Sequence, residues 1–527
     1  MKKFKLTLLG LVMVAFGLQS CVDDLDVRLE DQLSNTTEQF YASPDAYKQT
    51  IAGVYGNLSL TGTLGAGNSN IGGIDAGTSQ YGRVLWYMQN LSTDEVIWSY
   101  ENDPGTREIQ RNIWNSSNVI FRGMYSRAMF QVALANEFLR QSTPEAMAGR
   151  GHNDPALLSE VAEYRTEARA LRALAYYHLM DLFGKVTFNT ENEAVGATGV
   201  EYSRAQIFEY LESELTAIIP QLAAPRSNES GRLDQAFARM ILAKMYLNAE
   251  VYIGQNKYAE CVAQCNEIIN GGYILAPNYR HNFTSDNHLS PEMIFSIQSD
   301  GLVTQNFGPT TVMINGQVGS VEQNGASMGV ASGGWGGALR LRKQFVQKFQ
   351  GPQFSSDTRN SIISGERPID IANVLDQGQG YILNKYSNIS STGVPGPNTT
   401  FVDTDFPLFR LADVYLMYAE CALRGAGDAG TALGYVNALR TRANGQTISA
   451  GQLTLDFIID ERSRELHWEA HRRQDLIRFG KYTGGSYNWA WKGNATNGLS
   501  IPAHFNLYPI PQATLAANPN LTQNSGY

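Results

Sequence analysis

Residues 408–424 constrain this chain more than any other stretch, because they read as a helix that is apolar on nearly every side. Leu408, Leu411, Tyr415 and Ala422 recur at helical spacing, and Val414, Tyr418 and Cys421 fill the adjoining stripe. Only Arg410, Asp413, Glu420 and Arg424 interrupt, along one narrow strip. A helix with so little polar surface must be covered on most faces, so it belongs inside a larger helical assembly. Ala412, Ala419, Ala422, Ala429 and Ala432 are small enough to let neighbouring helices approach closely. Gly425 and Gly427 break the run, and residues 429–442 start a second helix.

Further helical periods follow the same logic. Residues 36–57 and 109–140 read as helices, and Asn153-Asp154-Pro155 starts another with proline near its first position. After it, Leu157, Val161, Tyr164, Ala168, Leu171, Ala175, His178 and Leu182 form one buried stripe that ends at Gly184. Residues 204–219 are helical, and 233–252 pairs with 257–270 across Gly254. This pair and the 408–442 pair look like tetratricopeptide-type units. Such pairs stack because none can bury its own face alone. The expected class is all-α, a tetratricopeptide-like helix-pair scaffold with long irregular loops. Fifty glycines point to long loops, with Gly-rich ones at 60–80 and 301–337, while 352–405 and the tail after Tyr482 also lack helical period. Residues 81–103 read as an irregular aromatic stretch. Loops this long in a compact protein are usually functional.

The N-terminus reads as a leader over residues 1–20. Lys2, Lys3 and Lys5 form its charged region and residues 6–18 its apolar one, too short to span a bilayer. It ends Leu18-Gln19-Ser20-Cys21, which resembles the lipobox of bacterial lipoproteins and makes Cys21 the expected lipidation site. Several acyl chains on one cysteine would anchor the protein stably. Net charge is −9, and loss of the leader lysines makes the remainder more acidic still. An acidic chain without a basic cluster is a poor nucleic-acid binder. Cys261, Cys265 and Cys421 read as packed thiols without a disulfide framework.

Three clusters invite catalytic or metal readings. His467 and His471 stand at zinc-binding helical spacing, but Trp468 occupies the place of the metalloprotease glutamate, and Arg464, Arg472 and Arg473 would repel a cation. Glu461, Glu465 and Glu469 lie one turn apart beside Arg462, Arg464, Arg472 and Arg473, which favours ion pairs over acid–base work. Asp94 or Glu95, near Trp98, is the better candidate for a glycoside hydrolase, although no second carboxylate is tied to it. No phosphate loop, metal motif or cofactor fingerprint is present, and the expectation is a protein that is not an enzyme. Trp98 and Trp335 lie in loop-like sequence, where an indole can offer its face to a sugar ring.

A resemblance sharpens this reading. It is carried by Phe406-Pro-Leu-Phe-Arg-Leu-Ala-Asp-Val-Tyr-Leu-Met-Tyr-Ala-Glu420, Ala432-Leu-Gly-Tyr-Val-Asn-Ala-Leu-Arg-Thr-Arg442, Glu461-Arg-Ser-Arg-Glu-Leu466 and Asp475-Leu-Ile-Arg-Phe-Gly480. Asp181-Leu-Phe-Gly184, Tyr508-Pro-Ile-Pro511 and Asn518-Pro-Asn-Leu-Thr-Gln-Asn524 complete it. In this order they resemble the SusD/RagB family of Bacteroidetes outer-membrane nutrient-binding lipoproteins, over essentially the whole chain. The resemblance implies an N-terminal part at 21–300 and a C-terminal part at 301–527, packed as one unit. It implies a lipid-anchored cell-surface protein that captures oligosaccharide or polysaccharide and passes it to a SusC-like TonB-dependent transporter. It implies an aromatic platform at Trp98 and Trp335, with Arg83, Asn102 and Asp103 as polar sugar contacts and Tyr81 and Trp86 as lesser candidates. A peptide-binding member of the same family is the alternative.

Overall fold

The protein is described by a computed structural model covering residues 36–318 and 323–527. The expected leader and Cys21 lie outside the described residues.

The scaffold is helical, and its pairs stack in series. Helix Gln235–Leu247 packs on Tyr258–Asn270, which packs on Leu411–Leu423, which in turn packs on Ala429–Arg442. Val119–Gln141 packs on Pro155–Phe183, and that helix on Arg204–Ile218. The longest helix, Pro155–Phe183, begins where its sequence says it should. The Asp154 side chain accepts from Leu157 N, Pro155 needs no amide partner in the first turn, and Gly184 leaves the helix at φ 74°. One continuous buried apolar cluster runs from Tyr41 to Leu521. Among the described residues the few strands form four two-stranded antiparallel pairs.

Several boundaries differ from the sequence reading. The central helix begins at Leu411, because Phe406–Arg410 is a strand paired with Met293–Ile297. The first helix is two, Thr37–Tyr41 and Asp45–Ser59, with Pro44 between them. The expected 109–140 helix starts only at Val119, where the Asn118 side chain accepts from Ile120 N. The 233–252 helix stops at Leu247 and restarts as Ala249–Ile253. Residues 81–103 are more regular than expected: helix Tyr81–Trp86, a π-turn Tyr87–Leu91, and strand Val96–Trp98. The Gly-rich 301–337 region contains a buried helix, Pro309–Gln317.

The narrow polar strip of the central helix is buried as deeply as its apolar faces. Asp413 pairs with Lys244 at 3.0 Å and Arg462 at 2.9 Å, and Glu420 with Arg478 at 2.6 Å. Arg410 bridges Glu292, Glu465 and Glu469 at 2.5–2.7 Å. Buried charges survive only when paired and hydrogen-bonded, and these are. Cys261, Cys265 and Cys421 are buried free thiols. No described helix is long and apolar enough to cross a membrane.

Candidate functional site

The candidate site is a cleft of about 400 Å³ lined by aromatic rings and a few polar side chains. Its wall is set by a sheet of three residue pairs. Strand Val96–Trp98 runs antiparallel to Leu339–Leu341, with Trp98 opposite Leu339. This pairing brings together two regions some 240 residues apart in sequence and places Trp335 over Trp98. Their rings meet edge to face at 6.0 Å between centroids, and Tyr100 meets Trp98 in the same way at 5.3 Å. The Tyr100 hydroxyl donates to the Trp335 carbonyl at 2.7 Å, tying the two outer rings to each other. Gly334 and Gly336, both at positive φ, let the chain turn tightly on either side of Trp335.

Trp98 is therefore not a loop residue and does not offer an open face. It is 1% exposed. Strand pairing fixes its backbone, its ring packs against Gly316 of the buried helix, and its indole N–H donates to Asp103 at 3.0 Å. A Cβ at position 316 would stand 2.9 Å from Leu339, too close, and 3.4 Å from the indole, an ordinary contact, so glycine here makes room for Leu339. Trp98 forms the floor, while half-buried Trp335 and exposed Tyr100 carry the accessible surface.

Arg83 lies in the same cleft, on helix Tyr81–Trp86. Its Nε donates to the Tyr87 hydroxyl at 2.9 Å. No carboxylate among the described residues pairs with it, so its terminal N–H groups face no protein acceptor. Asp103 lines the cleft while holding Trp98. Asn102 is exposed but does not line the cleft. Tyr81 and Trp86 are buried in the core, bonded to His178 and to the Trp468 carbonyl. Asp75 and Phe307 line the cleft without having been singled out. Phe307 carried the same signal as Trp335, an aromatic ring in polar loop sequence.

Asp94 and Glu95 cannot serve a ligand, which removes the hydrolase reading based on them. Both are buried, at 0% and 1% exposure. Burial alone would raise Asp94, but Arg472 and Lys348 outweigh it and hold the carboxyl well below the ordinary range. The Tyr487 hydroxyl donates to it as well. Glu95 is pushed up to about 7 by burial and accepts from Asn90, Ser463 and Trp468 N.

The other clusters are also structural. The helix ends at Leu466, and Trp468 and Ala470 take left-handed conformations, so His467 and His471 do not share a helix face. His467 contacts the Arg464 carbonyl and His471 contacts Lys244, each through Nδ1 at 3.0 Å. Glu461 pairs with Arg464 as its spacing suggests, but also with Arg359 and Arg440. Glu465 and Glu469 take partners distant in sequence, including Arg442 and Lys385. Arg472 goes to Asp94, and Arg473 lies over the Tyr508 ring.

Two accessible rings over a buried tryptophan, carried on stacked helix pairs, form a candidate binding cleft. Comparison with known proteins gives the family. The SusD family model matches residues 326–527. The starch-binding protein SusD of Bacteroides thetaiotaomicron is 31% identical over 98% of this chain and 97% of its own. This chain belongs to the SusD family. A SusD-like protein, P25, of Formosa agariphila is 25% identical, with 98% of each chain covered. Among solved structures, surface glycan-binding protein A of Bacteroides thetaiotaomicron in complex with laminarihexaose superposes with a TM-score of 0.67 at 21% identity. That match covers 91% of this chain and 99% of the other.

Proposed function

We propose that this protein binds oligosaccharide or polysaccharide at the cell surface, in the cleft formed by Trp335, Tyr100, Trp98 and Arg83, without cleaving it. The carrying observation is the pair of accessible rings beside an arginine with free donors, in a chain 31% identical to a starch-binding protein. Pyranose faces are apolar and their edges polar, which suits rings flanked by N–H donors. Asp103 supports the platform through Trp98, and Asn102 stands at the margin as an outer contact. One or two ring contacts and a few hydrogen bonds of about 1 kcal/mol leave little after association costs. The expected Kd is on the order of 0.01–1 mM, which suits avid capture of a polymer by many copies and easy release.

In this reading Cys21 carries the lipid anchor and the protein stands on the outer membrane, delivering its ligand to a SusC-like TonB-dependent transporter. The leader and the family membership support both points. Residues 21–300 and 301–527 act as one unit, since the cleft takes Arg83 and Trp98 from one part and Trp335 from the other. A glycan array run beside a peptide pool tests the reading, with reducing ends assayed after incubation. Binding to glycans without new reducing ends supports it. Retention of peptides alone sinks it in favour of a peptide-binding family member.

A further inference from the structure

A second cavity, of about 500 Å³, lies between helices Pro155–Phe183 and Arg204–Ile218 and shares no lining residue with the aromatic cleft. Arg165, Arg169 and Arg172 line it, at helical spacings of four and three that set them along one stripe. Glu214 takes Arg169 through two bonds, at 2.8 and 2.6 Å, and Arg172 at 3.1 Å. Glu191 also takes Arg172.

Arg165 differs from its neighbours. Its Nη1 donates to the Leu139 carbonyl and to Ser142 Oγ at 2.9 Å. No carboxylate among the described residues pairs with it, and its Nε–Nη2 edge has no protein acceptor. Arg165 is half-buried, whereas two fully buried arginines without a carboxylate partner give donors to several backbone carbonyls. Arg342 gives its donors to four backbone carbonyls, and Arg340 to three. Arg165 instead borders open volume. Burial lowers its pKa, with Glu191 and Glu145 opposing only in part. In other cavity-lining residues, the Tyr210 hydroxyl and Arg172 Nε are buried without a partner, and Arg172 is 2% exposed. Met147, Leu158 and Val161 supply an apolar wall.

The geometry points to a binding site for a small organic oxyanion, a carboxylate or sulfate ester on a body of one or two rings, anchored by the Nε–Nη2 edge of Arg165. That edge is the planar fork that takes two oxygens of a carboxylate or sulfate at once. Three arginines against two glutamates leave the lining one positive charge in excess. The ring body of the ligand lies against the apolar wall.

Ligand-observed NMR on the full chain tests this with methyl glucuronide, glucose 6-sulfate, neutral methyl glucoside and inorganic sulfate. At least one of the two charged sugars should bind saturably, and which one identifies the oxyanion. Methyl glucoside should not bind in this cavity. Arg165→Gln should weaken the charged ligand at least about tenfold, the loss expected for a charged hydrogen bond. Trp335→Ala should leave it unchanged, which separates this site from the aromatic cleft. Because Arg165 also holds Leu139 and Ser142, a melting curve must accompany that variant. Asn192→Trp fills the exposed rim without touching those bonds, and it decides the matter if Arg165→Gln does not fold. Absence of saturable binding by either charged sugar overturns the inference. So does binding that survives both variants, or binding of inorganic sulfate alone.

Discussion

Trp98 and Trp335 should part company when each is replaced by alanine. Trp98 is 1% exposed and packed between Gly316, Leu339 and the edges of two rings. Truncating a buried tryptophan costs about 3–5 kcal/mol. A chain of about 500 residues unfolds with an entropy near 1 kcal/mol per kelvin, so Trp98→Ala should lower Tm by roughly 3–5 °C. Trp335 is half-buried, and Trp335→Ala should shift Tm by about 1 °C or less. Its effect belongs to the ligand. Loss of stacking removes about 0.5–1.5 kcal/mol. Loss of roughly 50 Å² of apolar contact removes about 1 kcal/mol more. Together they weaken binding about 30-fold. Trp98→Ala should weaken binding too, by loosening the support of Trp335 and Tyr100. Calorimetric melting and isothermal titration with a glycan hit from the array measure both quantities. If Trp98→Ala melts within a degree of the parent, the floor is not packed as described. If Trp335→Ala binds normally, the cleft is not the site.

Arg83→Gln should weaken glycan binding several-fold with Tm unchanged, since Arg83 has no ion pair to lose; a fall of several degrees would mark it as structural. Arg410→Met takes one partner each from buried Glu292, Glu465 and Glu469, leaving them to Arg442, Arg359 and Lys385, and should cost about 3–5 kcal/mol in urea unfolding, whereas a neutral result would mean those remaining partners compensate. Burial raises Glu95 from 4.5 to about 7, so the folded state holds its proton more tightly between those values. The stability this lends is complete below about pH 4.5 and falls by about 3 kcal/mol as pH rises through 7. Glu95→Gln should flatten that slope in urea titrations at pH 5 and 8. Cys21→Ala should move the protein from the membrane fraction to the soluble one, and retention after a high-salt wash would place the anchor elsewhere.

The scaffold was legible wherever its signals were local. The helix from Pro155 to Phe183 carries a cap, a proline, a single apolar stripe and a terminal glycine, so both ends could be read directly. Pairing of Glu461 with Arg464 follows from a spacing of three. Partners set by the tertiary fold were not legible. Arg410 reaches Glu292 across 118 residues, and Arg472 reaches Asp94 across 378. Nothing in either neighbourhood names the partner. A narrow polar strip on an apolar helix suggests a wet edge. The same strip becomes buried when other helices bring opposite charges to it.

The cleft shows the same division at the scale of a site. Two tryptophans in loop-like sequence were visible as candidates, and the structure brings them to 6.0 Å. Their different roles were not visible, because they depend on a sheet of three residues per strand. Val96-Ile97-Trp98 and Leu339-Arg340-Leu341 are too short for period-two alternation to stand out from a loop. Once paired, however, they dictate burial. Trp98 enters the sheet and must point one way from its pleat, onto the buried helix at Gly316. Trp335 precedes its strand by four residues and stays free to turn outward between glycines. The ring that can meet a ligand is thus the one outside the ladder. By the same reasoning, Phe307, placed just before the buried helix Pro309–Gln317, belongs with Trp335 among the rings a ligand can reach.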